Sequence, residues 1–339
     1  MWSRAVLAVL GALSLSGCVS SILAHKIVAP PNKSGIKPLF ADAEILQRAP
    51  TAFADTWVVS IAHPRANIAV ASIEPGDYAF TYDLTLDPEG KAPAIKNLSA
   101  SWRTAKDVVR YPASKGTVIL LHGFLQNRNS MTPWAIRLAQ AGYRCVVLDL
   151  RAHGASTGKH ISFGAFEARD VSAVIDDLGK RGWDVAKVGL FGMSYGASVA
   201  LLTAGRDARV KTVVAFEPFA SAERAVPELM RAVFTREAAG ISDRQFAAAH
   251  AREAGIAGFE WKDADIPAAL KRTHAPVLFL HGEADVWLSP DHSRTLFQYA
   301  PKGSKLEVVP KANHVTLPLQ IAPFEAEVIG WFDAGLNSR

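Results

Sequence analysis

Short apolar runs recur along the chain, and each one ends in small or polar residues. Because these runs are apolar at nearly every position, they predict strands buried on both faces, as in a parallel sheet covered by helices on two sides. The runs are GTVILLHG (116–123), RCVVLDL (144–150), KVGLFG (187–192), KTVVAFEP (211–218), PVLFLHG (276–282) and KLEVVP (305–310). The chain is therefore expected to fold as an α/β protein with a mostly parallel central sheet.

Helical patterns separate these predicted strands. SMTPWAIRLAQAG and FEARDVSAVIDDLGKRG both place apolar residues at helical spacing, and Gly182 supplies a stop after the second. Earlier in the chain, NIAVASI, YAFTYDLTL and NLSASWRT follow one another with no helical pattern between them. These three segments are therefore predicted to pair antiparallel.

The connection before the penultimate predicted strand is much longer than the others. It covers about residues 220–273, whereas a crossover needs only about a dozen residues, so the extra length predicts helices that form a cap. Ligands of open parallel sheets bind outside the carboxyl ends of the strands, from which this cap springs. The large apolar side chains of the cap either line an acyl pocket or only pack the cap onto the body; they are Phe219, Leu229, Met230, Val233, Phe234, Phe246, Phe259 and Trp261.

Ser194 lies in the motif FGMSYG, directly between a predicted strand and a predicted helix. Gly192 and Gly196 leave space for a sharp turn that would expose the Ser194 hydroxyl at the helix N-terminus. By itself the motif is equally consistent with a tight packing turn. A serine nucleophile also needs a base, a group that orients the base, and donors for an oxyanion.

Candidates for these groups follow other predicted strands. His314, in VVPKANHVTLP, follows the last strand and is the predicted base. Asp285, in LFLHGEADVWLSP, is the predicted orienting acid because its loop neighbours the one that carries His314, and Glu217, in AFEPF, is the alternative acid. His122 and His281 each end a buried strand, where local hydrogen bonds to the ring are the favoured interpretation.

Backbone amides are the predicted oxyanion donors. The Tyr195 N–H follows the nucleophile and lies at a helix N-terminus, which favours negative charge. The second donor is expected from LHGFLQN, namely the Phe124 N–H, or the Leu125 N–H if the loop turns one residue later.

The motifs LLHGFLQN, LDLRAHGAS, LFGMSYGAS, LHGEAD and ANH occur in an order and spacing that resemble those of the α/β-hydrolase superfamily, over about residues 116–336. The resemblance implies an α/β-hydrolase fold: a mostly parallel sheet of about eight strands, flanked by helices, with a helical cap inserted before the penultimate strand. The acid lies between Ser194 and His314 along the chain, as in that superfamily.

The resemblance also implies a function. Ser194, His314 and Asp285 would form a catalytic triad that cleaves carboxylic esters through an acyl-enzyme, with the Phe124 and Tyr195 amides as oxyanion hole. The same triad would serve an acyltransferase or a thioesterase. A non-catalytic envelope-binding lipoprotein built on a hydrolase fold is the alternative from another class.

The first seventeen residues have the composition of an export signal. MWSR carries a positive charge, and AVLAVLGALSL is an apolar run too short for a bilayer span, which takes about 20 residues. The ending Leu15-Ser16-Gly17-Cys18 resembles the lipobox of bacterial lipoproteins, in which the cysteine is lipidated. An ordinary signal peptide cut nearby, with Cys18 incidental, is the alternative.

The expected organisation is a lipoprotein signal peptide over 1–17, a tether and lead-in over 18–56, and a hydrolase domain over 57–339. The resemblance places the exported protein on the cell envelope by a lipid anchor, and Val19 favours the outer membrane if the organism has two.

The expected partners are a small-molecule ester or lipid-like substrate and the membrane that holds the anchor. The net charge of +5 is dispersed, which argues against a nucleic-acid partner. Neither an H-E-x-x-H motif nor a strand-linked G-x-G-x-x-G motif occurs, so no metal and no cofactor is predicted.

Overall fold

The computed structural model describes residues 18–35, 43–87 and 94–337, so the predicted signal peptide lies outside the described residues. The strands are β1 (Asp55–Ile61), β2 (Ala66–Ile73), β3 (Gly76–Asp77), β4 (Thr81–Asp87), β5 (Ala94–Ser101), β6 (Val109–Arg110), β7 (Thr117–Leu121), β8 (Arg144–Leu148), β9 (Val188–Met193), β10 (Val210–Phe216), β11 (Val277–Gly282) and β12 (Lys305–Val309).

The helices include one over residues 18–27, here called α1. The others are α2 (Glu44–Arg48), α3 (Thr132–Gln140), α4 (Glu167–Lys180), α5 (Tyr195–Ala204), α6 (Ala222–Val233), α7 (Thr235–Ala238), α8 (Asp243–Ala257), α9 (Ile266–Arg272), α10 (Asp291–Phe297) and α11 (Ile321–Asn337). Short 3₁₀ turns occur at Pro31–Lys33, Ala49–Ala52, Arg128–Met131 and Trp261–Ala264.

Eight strands form one sheet in the order β1-β2-β8-β7-β9-β10-β11-β12. The six apolar runs of the sequence are β7 to β12, and these strands pair in parallel. β1 and β2 extend the sheet at one edge, where β1 pairs antiparallel with β2 and β2 pairs antiparallel with β8. The predicted fold class, a mostly parallel eight-stranded sheet with flanking helices, is confirmed.

The pairing predicted for the first three strand segments is right in one part and wrong in another. β4 and β5 do pair antiparallel, but they form a hairpin of their own outside the main sheet. β2 pairs with β1 and β8 instead, and the sequence analysis did not identify β1. The difference lies in burial. Seven of the eight residues of β2 are buried, as expected for a strand inside the main sheet. β4 alternates between exposed and partly buried residues, as expected for a hairpin at the surface.

Helices cover both faces of the main sheet. One face packs against α4, α5 and α9, and the other packs against α3 and α11. Trp134, Phe191 and Phe216 meet edge to face on the second side, with ring centroids 5.1 to 5.7 Å apart. Burying an aromatic or aliphatic side chain of this size stabilises the fold by about 1.5–3 kcal/mol, so both layers hold β9 and its neighbours rigidly.

The predicted insertion is present as α6 to α9, between β10 and β11. α1 packs on this cap, where Leu23 and Ala24 contact Phe246 and Ala249 of α8. A tether was predicted here, and the structure differs because apolar residues of α1 recur at helical spacing and bury one face of the helix. None of the helices in the described ranges is both long and apolar enough to span a membrane.

Candidate active site

Ser194 lies at a strained turn between β9 and α5. Its φ of 51° and ψ of −115° fall in a region that non-glycine residues rarely adopt, at a cost of about 1–3 kcal/mol. A Cβ at Gly196 would lie 2.2 Å from the Leu121 carbonyl oxygen, and one at Gly192 would collide with the α5 backbone. The Ser194 N–H donates to the Phe216 carbonyl at 2.7 Å, which helps to hold the turn.

The Ser194 hydroxyl faces His314. Nε2 of His314 lies 2.9 Å from Ser194 Oγ, although the two residues are 120 positions apart. The backbone around His314 is fixed by Asn313, whose Oδ1 accepts hydrogen bonds from the N–H groups of Val315 and Thr316. The loop after β12 therefore presents the imidazole to the serine in a defined orientation.

Asp285 completes a chain of contacts that begins at Ser194. Its Oδ2 accepts a hydrogen bond from His314 Nδ1 at 2.6 Å. Its Oδ1 accepts the backbone N–H groups of Trp287 and Leu288 at 2.8 and 2.9 Å. Both carboxylate oxygens are occupied, and the side chain is buried. This arrangement fixes the imidazole tautomer with the proton on Nδ1 and the free lone pair on Nε2, toward the serine.

Glu217, the alternative acid, reaches the same imidazole nitrogen. Its Oε2 lies 3.5 Å from Nδ1 of His314, which is longer than the hydrogen bond from Asp285. The structure thus brings both candidate acids to the base and gives the hydrogen bond to Asp285. From the sequence they are alternatives, because nothing in local sequence shows that two neighbouring strand ends converge on one nitrogen.

The two histidines predicted to have locally bonded rings do have such bonds. His281 Nδ1 accepts from Ser293 Oγ, and its Nε2 donates to the Leu288 carbonyl. His281 Nε2 also lies 3.2 Å from Oδ2 of Asp285, a contact that the sequence does not predict. His122 donates from Nδ1 to the Gly123 carbonyl and so holds the start of the loop after β7, while burial lowers its pKa to about 4.

Burial and charge act in opposite directions on these groups. Burial alone would lower the pKa of His314, but the carboxylates of Asp285 and Glu217 outweigh it and raise the pKa to about 9. Burial would raise the pKa of Asp285, but His314 and His281 outweigh it and hold that pKa well below its usual range. Burial raises the pKa of Glu217 well above its usual range; the charge of His314 opposes this effect, and the Asp285 charge adds to it.

Phe124 and Tyr195, whose backbone amides are the predicted oxyanion donors, lie in segments next to Ser194. The loop after β7 packs on the turn, since a Cβ at Gly123 would lie 3.6 Å from Ser194 Cβ. Within the described ranges, neither the Phe124 N–H nor the Tyr195 N–H has a hydrogen-bond acceptor. Leu125 has a φ of 57°, so the loop turns at this residue. Phe124 and Tyr195 therefore offer free donors next to the serine.

Comparison with known proteins identifies the family of this chain. The sequence model of the alpha/beta hydrolase family matches residues 118–326, more than half of the chain. The protein belongs to the alpha/beta hydrolase family.

Curated relatives of this alpha/beta hydrolase are distant. An uncharacterised Bacillus subtilis protein, YqkD, is 24% identical over 200 residues, which are 58% of this chain and 64% of that protein. An uncharacterised Escherichia coli protein of 31.7 kDa, from the traX-finO intergenic region, is 28% identical over 131 residues, 38% of this chain and 44% of that one. The chain thus spans less than two thirds of the length of these relatives.

Solved structures share the fold. The Pyrococcus furiosus esterase Pf2001 superimposes with a TM-score of 0.58 at 18% identity, covering 85% of this chain and 94% of that one. A 2,6-dihydroxy-pseudo-oxynicotine hydrolase gives a TM-score of 0.58 at 17% identity, covering 86% and 71%. A membrane phospholipase A gives 0.54 at 15% identity and covers 99% of both chains.

A cavity of about 100 Å³ opens on Ser194 and His314 in this alpha/beta hydrolase. Of the apolar cap residues named above, only Leu229, Val233 and Phe234 line it, and Phe219, Phe246 and Phe259 are instead buried in the core. The opposite wall comes from α2 and the β4–β5 hairpin, through Ile45, Leu46, Tyr82 and Leu98. This wall is not predicted from the sequence, because its segments precede every motif.

The described part of the chain contains one trio of side chains close enough to hold a metal ion, and it is Glu217, Asp285 and His314, whose ligand atoms lie within 4.8 Å of one another. A His314–Asp285 separation of 2.6 Å is that of a hydrogen bond. A cation held at about 2 Å from each atom needs a wider gap. The trio is therefore a hydrogen-bonded pair, Asp285 and His314, with the carboxyl group of Glu217 beside it.

The two cysteines are free and differ in environment. Cys18, the predicted lipidation site, is exposed at the start of α1, and Cys145 is buried in β8. The buried thiol has a pKa raised well above its usual range because burial disfavours the thiolate. Of the two, only Cys18 is accessible to a modifying enzyme.

Proposed function

We propose that this protein is a serine hydrolase that cleaves carboxylic esters, with Ser194 as nucleophile, His314 as base and Asp285 as the group that orients the base. The observation that carries the proposal is the continuous chain of contacts, 2.6 Å from Asp285 to His314 and 2.9 Å from His314 to Ser194, at a strained turn that opens on an apolar cavity. A binding protein without catalysis has no need of this strain or of these contacts.

In the proposed mechanism, Ser194 Oγ attacks the ester carbonyl carbon while its proton passes to Nε2 of His314. The N–H groups of Phe124 and Tyr195 donate to the oxyanion that forms. His314 then gives the proton to the departing alcohol oxygen and leaves an acyl group on Ser194. In the second half of the reaction the same imidazole takes a proton from water, which attacks the acyl carbonyl carbon; the bond to Ser194 Oγ breaks, the carboxylic acid leaves, and His314 returns the proton to Oγ.

The cavity favours an apolar acyl group. Most of its lining side chains are apolar, and they come from the body, the cap and the N-terminal segments. At about 10–15 Å³ for each water-sized group, 100 Å³ accommodates roughly seven to ten such groups. We therefore propose esters of medium-length acyl chains, including lipid-like esters.

We also propose that Cys18 is lipidated and anchors the protein to the cell envelope. The lipobox-like LSGC sequence and the exposure of Cys18 support the anchor. Residues 18–27 extend about 15 Å as a helix, at 1.5 Å per residue, and Leu23 packs on the cap, so an anchored Cys18 would hold the cap close to the lipid surface. The likeness to a membrane phospholipase A over nearly the whole chain agrees with a lipid-like ester as substrate.

The proposed reaction is tested with a fluorophosphonate probe and with p-nitrophenyl esters of two to twelve acyl carbons. Wild type and the exposed-serine control Ser60→Ala should both be labelled, and Ser194→Ala should not. Labelling that persists in Ser194→Ala would refute the nucleophile. Turnover should peak at medium chain length. Labelling of Ser194 without ester turnover would refute ester cleavage and favour acyl transfer or thioester cleavage.

The anchor is tested by incorporation of radiolabelled palmitate. Cys18→Ser should abolish incorporation and release the protein from the membrane fraction. Cys145→Ala, which removes the other cysteine, should leave both properties unchanged. Undiminished incorporation in Cys18→Ser would contradict the anchor without affecting the proposed reaction.

A further inference from the structure

Glu217 combines three features that are individually unfavourable. Its φ is 54°, in the left-handed region that a non-glycine residue adopts only under constraint. Its side chain is 0% exposed, and neither carboxyl oxygen makes a well-aligned hydrogen bond, although the Gly282 backbone N–H lies close to the carboxyl group. A buried polar group without partners destabilises a fold, as does a strained backbone, so packing alone does not account for this residue.

A second buried glutamate, Glu167, has the hydrogen bonds expected of a carboxylate with a structural role. Glu167 is also 0% exposed, but its oxygens accept hydrogen bonds from the Ser162 N–H and hydroxyl, the Gly164 N–H and the Tyr195 hydroxyl. These bonds satisfy the carboxylate and tie a loop to α5. Glu217 has no such set, although its own N–H is fixed by a hydrogen bond to the Leu280 carbonyl.

The groups that face Glu217 belong to the proposed active site. His314 approaches from the loop after β12, with Nδ1 at 3.5 Å from Oε2. Asp285 approaches from the end of β11, and its carboxylate also lies 3.2 Å from His281 Nε2. These are the titratable groups around Glu217, and the one that gains a charge in the proposed reaction is His314.

We propose that Glu217 is a positioning residue, a second carboxyl group that acts with Asp285 on Nδ1 of His314 and stabilises the imidazolium. This inference rests on the proposed role of His314 as base. Two carboxylates beside a neutral imidazole repel each other, so the charge of the second becomes favourable only when the imidazole is protonated. Glu217 therefore extends the protonated state of His314 to higher pH and supports its orientation when Asp285 is lost.

The first test measures His314 directly and needs no enzymatic activity. The imidazole nitrogen shifts of histidine-labelled protein are titrated by NMR, with His314 assigned by its loss in His314→Ala. Glu217→Gln should lower the pKa of His314 by about one unit or more, because it removes the carboxyl group that can ionise beside the imidazolium. An unchanged pKa would overturn the proposal even if ester hydrolysis is confirmed.

Glu253→Gln is the matched control for this titration. Glu253 is a buried glutamate of α8, and its Oε2 lies 3.4 Å from Nδ1 of His250, almost the separation found at the active site. Its replacement should leave the pKa of His314 within about 0.2 units, since only a nearby charge acts strongly. A shift equal to that of Glu217→Gln would mean a general response to losing a buried carboxyl group, and would also overturn the proposal.

The second test is the rate of fluorophosphonate labelling at Ser194, which does not depend on knowing the substrate. Asp285→Asn should label at least tenfold faster than the double variant Asp285→Asn/Glu217→Gln, because Glu217 partly replaces the lost acid. Equal rates in the two would refute that role. If wild type labels but cleaves no ester, the proposed function fails while the role of Glu217 is still decided by this comparison.

Discussion

The Asp285 carboxylate and the His314 imidazole meet at 2.6 Å, with the other oxygen of Asp285 held by two backbone N–H groups. Because the carboxylate cannot rotate away from these donors, its second oxygen stays directed at Nδ1. The imidazole is thereby held with Nε2 toward Ser194. This relationship is the basis of the first prediction.

Asp285→Asn should lower kcat/KM by about 10³–10⁴, with little change in KM. An amide can donate to Nδ1 and so favours the wrong tautomer, and the equivalent change in serine proteases lowers kcat by about 10⁴. Ester kinetics on purified protein provide the measurement. Asp291→Asn, which changes an exposed aspartate of α10, should remain near wild type. A loss of less than tenfold in Asp285→Asn would contradict the assignment of the acid.

The pH dependence follows from the raised pKa of His314. The base must be neutral to accept the serine proton, so kcat/KM should still be rising with pH above 6.5 and level off near pH 9. A pH–rate profile measured with a neutral ester provides the check. A plateau that is already complete at pH 7 would show that the imidazole is not held in its charged form.

The same shift affects stability with a defined sign. A folded-state pKa of about 9 lies above the unfolded value of 6.5, so the stabilisation from protonated His314 is complete below pH 6.5 and is lost as the pH rises through about 9. Denaturant unfolding at pH 6 and pH 10 should therefore show a smaller loss of stability in His314→Gln than in wild type. An identical loss in both would contradict this linkage.

Gly196→Ala should prevent the turn at Ser194 from forming. The new Cβ would lie 2.2 Å from the Leu121 carbonyl oxygen, a backbone atom that cannot move aside, so we expect a loss of about 3 kcal/mol or more and no probe labelling. Gly255→Ala is the control, because its Cβ meets nothing within 4 Å in helix α8. That change should raise the free energy of unfolding by about 0.5–1 kcal/mol.

Leu98→Trp should shift the acyl preference to shorter chains. Leu98 lies on β5 and lines the cavity, so the larger ring would occupy part of its 100 Å³. We expect kcat/KM for decanoyl esters to fall more than tenfold while acetyl esters change less than threefold. Ser99→Trp places the same ring on the opposite, exposed face of the strand and should leave the profile unchanged. Equal losses for short and long esters in Leu98→Trp would count against this acyl site.

The parallel strands and the turn at Ser194 can be predicted from local sequence. The strands β7 to β11 are apolar at most positions, and this pattern is local, so the sequence predicts them without knowledge of their neighbours. The two glycines that flank Ser194 are local in the same way, since a turn between β9 and α5 admits only residues without a Cβ at these positions. What these signals specify is which segments are buried and where the chain must turn sharply.

Only the tertiary structure decided how distant residues meet. Asp285 and Glu217 both follow buried strands, and no local pattern shows that β10 and β11 lie side by side and bring both carboxyl groups to one nitrogen of His314. Local sequence likewise does not predict that α2 and Leu98 form a wall of the cavity. Such contacts depend on strand order and on the packing of segments far apart along the chain, which hydrophobic periodicity does not encode.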